Sequence, residues 1–216
     1  MTSAWPWLAL AGLGAFHGIN PTMGWLFAVA LGLQRRSRAA VLWSVFPIAV
    51  GHALSVGLVV VAVGVLRAFV DFRMLQVGAA VTLIAFGLYR LLARHWARVG
   101  MQVSGGDLAA WSFLMATAHG AGLMLLPVLL EMPIDTADDE HAHMAVATEI
   151  GKSAAIGFAA VAVHTAAMLV VAGAIAMAVY QWVGLAFLRR GWINLDLLWV
   201  LALIGAGLFL LVTALW

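Results

Sequence analysis

Long apolar stretches separated by short polar connections run through this chain from end to end. A helix needs about 20 apolar residues to cross the hydrocarbon core of a bilayer. Six stretches reach that length, and they cover residues 5–32, 40–66, 75–97, 108–131, 150–182 and 195–216. Since none alternates with the two-residue period of a strand, each is predicted to be helical. The pattern predicts an all-α integral membrane protein with six transmembrane helices.

Composition supports the same class of protein. Of the 216 residues, 65% are hydrophobic and 9% are charged, whereas charged residues make up about 25% of a soluble domain. A water-soluble globule of this size could not cover its surface with so few polar groups, so the lipid bilayer is the expected surrounding. The chain has no cysteine, which excludes disulfide exchange, thiolate metal sites and iron–sulfur ligation. The N-terminus lacks a basic region, and no cleavable signal peptide is predicted there.

The basic residues predict how the helices are oriented. Eight of the eleven lie between the first two stretches, at the end of the third, or between the last two: Arg35, Arg36, Arg38, Arg90, Arg94, Arg98, Arg189 and Arg190. By the positive-inside rule these segments face the cytoplasm. We therefore expect a bacterial-type inner membrane protein with both termini and the acidic loop 132–149 outside. The basic residues behind the net charge of +2 are thus explained by membrane orientation, and nucleic acid is not an expected partner.

Each landmark in residues 1–100 has a counterpart, in the same order, in residues 101–216. His17-Gly18 in the first stretch matches His119-Gly120 in the fourth, and His52 in the second matches His164 in the fifth. The third and sixth stretches share a run that begins Leu-Ile and has glycine four residues after the leucine, at residues 83–91 and 203–211. Because each half has three spans, an odd number, the halves have opposite orientation. The sequence predicts two inverted three-helix repeats, an architecture of many secondary transporters.

The four paired histidines are the main titratable groups within the spans. Ionisable groups inside a membrane are costly and usually face a partner or a cavity, and neutral imidazole is a common metal ligand. Met23 and Met124 follow His17 and His119 within two turns, and Met168 follows His164. Imidazole and thioether together suit Cu(I), with Ni and Co as less soft candidates. The alternatives are that each histidine bonds a carbonyl of a neighbouring helix and that the methionines only pack.

The outer loop also contains groups that bind metals. Asp138, Asp139, Glu140, His141 and His143 lie close together in sequence. A stretch of this kind could collect divalent cations at the mouth of a pathway, although any solvated loop can have the same composition.

One part of the chain resembles a known family. His17-Gly18-Ile19-Asn20-Pro21-Thr22-Met23-Gly24, the basic residues at 35, 36 and 38, and His52-Ala53-Leu54-Ser55-Val56 are similar to NicO-type nickel/cobalt permeases and efflux proteins, within the LysE-like superfamily. The resemblance covers about residues 10–65, and it implies an inverted-repeat exporter fold. In the family's motif a second histidine follows the proline by two residues, where this chain has Met23. A softer ion or a non-metal solute therefore stays open.

Three functions are consistent with these residues. The favoured one is a secondary transporter of a transition-metal cation with a midplane His/Met site, and the residues leave open whether the chain is an enzyme. The second is a membrane redox subunit or enzyme whose histidines hold haem b or copper. The third is an accessory subunit of a larger membrane complex or homo-oligomer, in which the histidines only pack. No P-loop pattern occurs, so transport would use an ion gradient or an external partner.

Overall fold

The computed structural model describes residues 4–67, 69–92, 105–131, 142–183 and 195–216, and for residues 131, 142–153, 183, 195 and 196 it describes the backbone alone. The acidic cluster of the outer loop therefore falls outside this description. Asp138, Asp139, Glu140 and His141 lie beyond the described residues, as does the side chain of His143. Metal capture by this loop stays a prediction.

The described residues form eight α-helices. They are α1 (Trp5–Ile19), α2 (Trp25–Arg35), α3 (Arg38–Arg67), α4 (Phe72–Leu92), α5 (Gly105–Ala118), α6 (Leu126–Glu131), α7 (Ala142–Ala178) and α8 (Leu195–Leu215). A 3₁₀ turn precedes α2 and another precedes α6, and a short π-helical segment follows α7. All regular structure in this part of the chain is helical, as predicted.

Four helices are long and apolar enough to cross a membrane, judged by length and composition: Arg38–Arg67, Phe72–Leu92, Ala154–Trp182 and Leu197–Leu215. A fifth span is formed if α5 and the following Leu123–Leu130 are taken together, bent by 53° at their junction. The first predicted stretch is two helices, since α1 ends at Ile19 and α2 begins at Trp25. Residues 93–97 of the third stretch lie outside the described residues. The described part of the chain is thus helical, with four or five helices that could span a membrane, consistent with a membrane protein.

Both broken stretches turn at a glycine with a left-handed backbone. Gly24 has φ 118° and Gly120 has φ 69°, conformations that glycine adopts without the steric cost of a side chain. At the first break, Asn20 accepts a hydrogen bond from the backbone N–H of Thr22 (3.0 Å). Pro21 opens the 3₁₀ turn and Pro127 is the second residue of α6, positions where a missing N–H costs little. The sequence therefore contains its own signals for both interruptions.

The contacts between helices give their relative directions. Successive residues of α1 meet successive residues of α7, as Gly14 lies against the carbonyl of His164 and Gly18 against that of Met168, so these helices run parallel. The α3–α5 pair is also parallel, because Ser112 donates to the carbonyl of Ile48 (2.8 Å) and the hydroxyls of residues 55 and 117 meet at 2.9 Å.

Two other pairs run antiparallel. In α3 and α7, Val45 lies against Gly173 and Val60 lies against Gly157. In α4 and α8, Gln76 donates to Thr213 (2.9 Å) near one end. Glycines at 87 and 207 meet isoleucines at 204 and 84 further along. These contacts bring the middles of α1, α3 and α7 together, and the histidines lie there.

Candidate metal site

Three of the four histidines that were predicted to form a metal site make one buried cluster. The ring centroids of His17 on α1, His52 on α3 and His164 on α7 are 5.3 Å (His17–His52), 5.0 Å (His17–His164) and 5.4 Å (His52–His164) apart. None of the three side chains is more than 1% exposed. We call these residues the histidine triad. The structure therefore brings residues from both halves of the sequence into mutual contact.

Backbone carbonyls determine which nitrogen carries the proton in two of the three rings. His17 Nδ1 lies 3.2 Å from the carbonyl oxygen of Leu13, and His164 Nδ1 lies 3.2 Å from that of Leu10. Because a carbonyl only accepts, each Nδ1 must be the protonated donor. The Nε2 atoms of both rings then carry lone pairs, and neither has a hydrogen-bond partner. Metal-ligating histidines commonly show this arrangement, with one nitrogen donating to a carbonyl and the other free to bind.

His52 differs from the other two members of the triad. Neither of its ring nitrogens has a hydrogen-bond partner, although the side chain is fully buried. An unpaired buried polar atom costs about 1–3 kcal/mol. The protein retains this cost at the centre of the triad, where a bound ligand would remove it.

Trp199 from α8 forms one wall of the triad. Its ring centroid lies 4.1 Å from that of His17, and its ring stacks on Phe16 at 5.3 Å. The indole N–H donates to the backbone carbonyl of His119, at the end of α5. Trp199 thus links the triad to the break between α5 and α6. The sequence offered one signal for it, a tryptophan five residues inside a span where its N–H needs a partner.

His119, the fourth predicted histidine, lies at that break and makes different contacts. Its Nδ1 donates to the carbonyl of Met115 (2.8 Å), and its Nε2 lies 3.4 Å from the Thr22 hydroxyl. That hydroxyl donates to Asn20 Oδ1 at 2.8 Å. His119 therefore joins the break in the fourth stretch to the break in the first. Thr22 and Asn20 are further polar residues of this region that sequence reasoning did not single out.

The two predicted methionine ligands, Met23 and Met124, are buried, as is Met168 near His164. Met124 lies in a hydrophobic cluster with Leu10, Leu125 and Trp199, and Met168 lies in another with Trp25 and Ala28. Met23 closes the 3₁₀ turn after Asn20. Packing accounts for the positions of Met124 and Met168, so the triad is the donor set that the described contacts favour.

The distances between the rings of the triad match binding of one shared ion. The orientations of the rings do not match it, because the nitrogens do not all point to one place. Metal–nitrogen bonds of about 2.0–2.1 Å place the centroids of two tetrahedral imidazole ligands about 5 Å apart. In the described part of the chain, no group of three or more His, Asp or Glu side chains is arranged to hold a metal as it stands. The rings of His52 and His164 are nearly parallel, with 13° between their planes. A rotation of the His52 ring would break no hydrogen bond, because its nitrogens have none.

The triad does not suit haem. Two axial histidines bind opposite faces of the iron, and the whole porphyrin lies between them. Here every pair of rings is in direct contact, and Trp199 packs on one side. The arrangement favours a single small ion.

Comparison with protein-family models, with curated proteins and with solved structures gives no match to this chain. The similarity to NicO-type permeases therefore rests on the residues quoted above and stays a prediction.

Proposed function

We propose that this chain is a secondary transporter of a transition-metal cation, and that His17, His52 and His164 bind the ion. The observation that carries the proposal is the set of buried, unpartnered Nε2 atoms on three rings within 5.4 Å of one another. Buried polar atoms are almost always paired in proteins. A cluster of three without partners, inside apolar helices, indicates a ligand that pairs them. Neutral imidazoles suit Cu, Ni, Co and Zn.

The proposal includes six spans arranged as two inverted three-helix repeats. The first support is the contact between α4 and α8. When the run from Leu83 is aligned with the run from Leu203, Ile84 matches Ile204 and Gly87 matches Gly207. In the structure Gly87 lies against Ile204 and Gly207 against Ile84. Such reciprocal contacts are what a two-fold axis between equivalent surfaces produces, and the antiparallel direction fits an inverted repeat.

The α3–α7 pair gives independent support. Aligning His52 with His164 makes Val45 equivalent to Gly157. Val45 lies against Gly173, and Gly157 lies against Val60. In the same alignment Val60 corresponds to residue 172, so the two contacts are equivalent to within one residue. The centre of this pseudo-symmetric contact is the His52–His164 pair. A site at the interface of the repeats is the usual place for the substrate of such a transporter.

Interrupted helices next to the triad favour transport over a static metal site. Discontinuous helices commonly flank the substrate in secondary transporters, where non-helical backbone lines a cavity. Here α1 breaks three residues after His17, and α5 breaks at His119. The two breaks meet through the contact between Thr22 and His119. In the proposed mechanism the two repeats rock about the triad, and this contact forms and opens as the site changes sides.

Metal binding and transport by the purified chain test the proposal. Reconstituted vesicles would be loaded with a metal-sensitive dye and exposed in turn to Ni²⁺, Co²⁺, Zn²⁺ and Cu⁺. We expect uptake with at least one ion, and its loss in His17→Ala and His164→Ala. The control is Leu54→Ala, which changes an exposed residue on α3 two positions from the triad. Normal transport in both histidine variants would contradict the proposal. Absence of any bound metal would favour the accessory-subunit alternative.

A further inference from the structure

A basic cavity lies where the π-helical segment after α7 meets the turn between α2 and α3. Its volume is about 300 Å³, and it is lined by Leu33, Arg36, Arg38, Tyr180 and Gln181. That volume is at the lower end of the range for small-molecule sites, about 300–1,000 Å³. Two guanidinium groups, a phenol and an amide around one cavity are the donors that recognise a phosphate group.

The backbone holds these residues in place. At the end of α2 the N–H groups of Arg36 and Ser37 donate to carbonyls of Leu33 and Gly32. Ser37 in turn accepts from the N–H of Ala40 in the first turn of α3. A Cβ on Gly32 would overlap side-chain atoms from α3 and lie 3.2 Å from the ring of Tyr180. The last turns of α2 therefore pack closely on α3 and on the π-helical segment that follows α7, and the cavity forms where they meet.

The residues beside the cavity are of the kinds found at the level of lipid headgroups. Trp182 is exposed one residue beyond Gln181, and tryptophan is enriched at the membrane–water interface. Arg36 and Arg38 follow the end of one apolar stretch and precede the next. Basic pockets between membrane helices at this level bind acidic lipid headgroups.

We propose that this cavity binds the phosphate of an anionic phospholipid. The site is separate from the histidine triad and does not depend on the metal-transport proposal. In this site Arg36 and Arg38 donate to the phosphate oxygens, Tyr180 and Gln181 donate to the phosphate or its ester oxygens, and Leu33 contacts the upper part of an acyl chain.

Native mass spectrometry of the purified chain tests the proposal. The protein would be exchanged into micelles containing phosphatidylglycerol or phosphatidylcholine, and the retained lipid would be counted. We expect preferential retention of phosphatidylglycerol. Arg36→Gln and Arg38→Gln should each weaken it about fivefold, the factor that one basic residue near an anionic headgroup contributes. Tyr180→Phe should weaken it less, because it removes one neutral donor.

Arg35→Gln is the matched control, since Arg35 is exposed in the same turn but does not line the cavity. Its retention of phosphatidylglycerol should equal that of the unmodified chain. An equal loss in this variant would show diffuse charge attraction and overturn the proposal. So would equal retention of both lipids. A parallel thermal-unfolding series with inorganic phosphate separates the two sources of phosphate: equal stabilisation by free phosphate and by phosphatidylglycerol would overturn the assignment to lipid.

Discussion

Replacing His52 with leucine should stabilise the metal-free protein while it removes metal binding. The His52 ring is fully buried, and neither nitrogen has a hydrogen-bond partner. Each unpaired buried polar atom costs about 1–3 kcal/mol. Leucine is similar in volume, contains no polar atom and is the better helix former. Because polar groups of a membrane protein also find partners in the unfolded state, we expect a net gain of about 1–2 kcal/mol.

The comparison with His17→Leu separates this effect from a general benefit of leucine. The His17→Leu substitution loses a hydrogen bond to the Leu13 carbonyl, worth about 0.5–1.5 kcal/mol. It removes one unpaired buried nitrogen, whereas His52→Leu removes two. Its stability should therefore change by less than about 1 kcal/mol. His164→Leu, which loses the bond to Leu10, should behave in the same way.

Thermal unfolding in detergent, with and without metal, measures both parts of the prediction. For a chain of this length 1 kcal/mol shifts the midpoint by about 2–4 °C, so His52→Leu should unfold about 2–8 °C higher than the unmodified protein without metal. Metal at 100 times its dissociation constant adds about 2.7 kcal/mol to the stability of the unmodified protein. This added shift should disappear in His52→Leu. A metal-free variant that unfolds at a lower temperature would refute the reasoning, since it would show that the His52 ring has partners that stabilise it.

Two further changes test the packing around the triad. Gly14→Ala should lower stability and weaken metal binding at least tenfold in a metal titration, because the added methyl would overlap a carbonyl of α7. The control is Gly12→Ala, whose methyl meets nothing within 4 Å and which should change neither stability nor metal binding. Equal effects of the two substitutions would contradict the close approach of α1 and α7. Trp199→Phe keeps a ring beside His17 but removes the donor to the carbonyl at the α5 break, so the free energy of unfolding measured in denaturant should fall by about 1–3 kcal/mol. The control is Trp216→Phe, which alters an exposed tryptophan at the other end of α8 and should leave the free energy of unfolding unchanged. An equal loss in this control would exclude the hydrogen bond as the cause.

Hydropathy predicted most of the helical architecture. The long apolar stretches became α3, α4, α7 and α8 because length and composition alone decide whether a helix can cross a bilayer. Where the other two stretches break could not be read from hydropathy. Each break depends on a glycine at positive φ, Gly24 or Gly120, and those glycines resemble the many others in the chain that only allow helices to pack closely.

The pairing of histidines between the halves was visible in the sequence, but their final grouping was not. His119 matches His17 in its motif, yet its ring bonds the Met115 carbonyl at a helix end and reaches Thr22. His17 lies inside an intact helix and faces the other two histidines. This difference follows from the exact place where each helix stops. Trp199 was missed for a related reason, since only the packing of α8 on the break shows what its N–H contacts.

X-ray absorption spectroscopy of the metal-loaded protein tests the central claim most directly, because it counts the imidazole ligands of a bound ion. We expect one ion per chain, coordinated by three imidazole nitrogens at about 2.0–2.1 Å. His17→Leu and His164→Leu should each remove one imidazole from the spectrum, and His52→Leu should leave no bound ion. An ion surrounded only by oxygen, or a spectrum unchanged by all three substitutions, would contradict the assignment of the triad as the metal site.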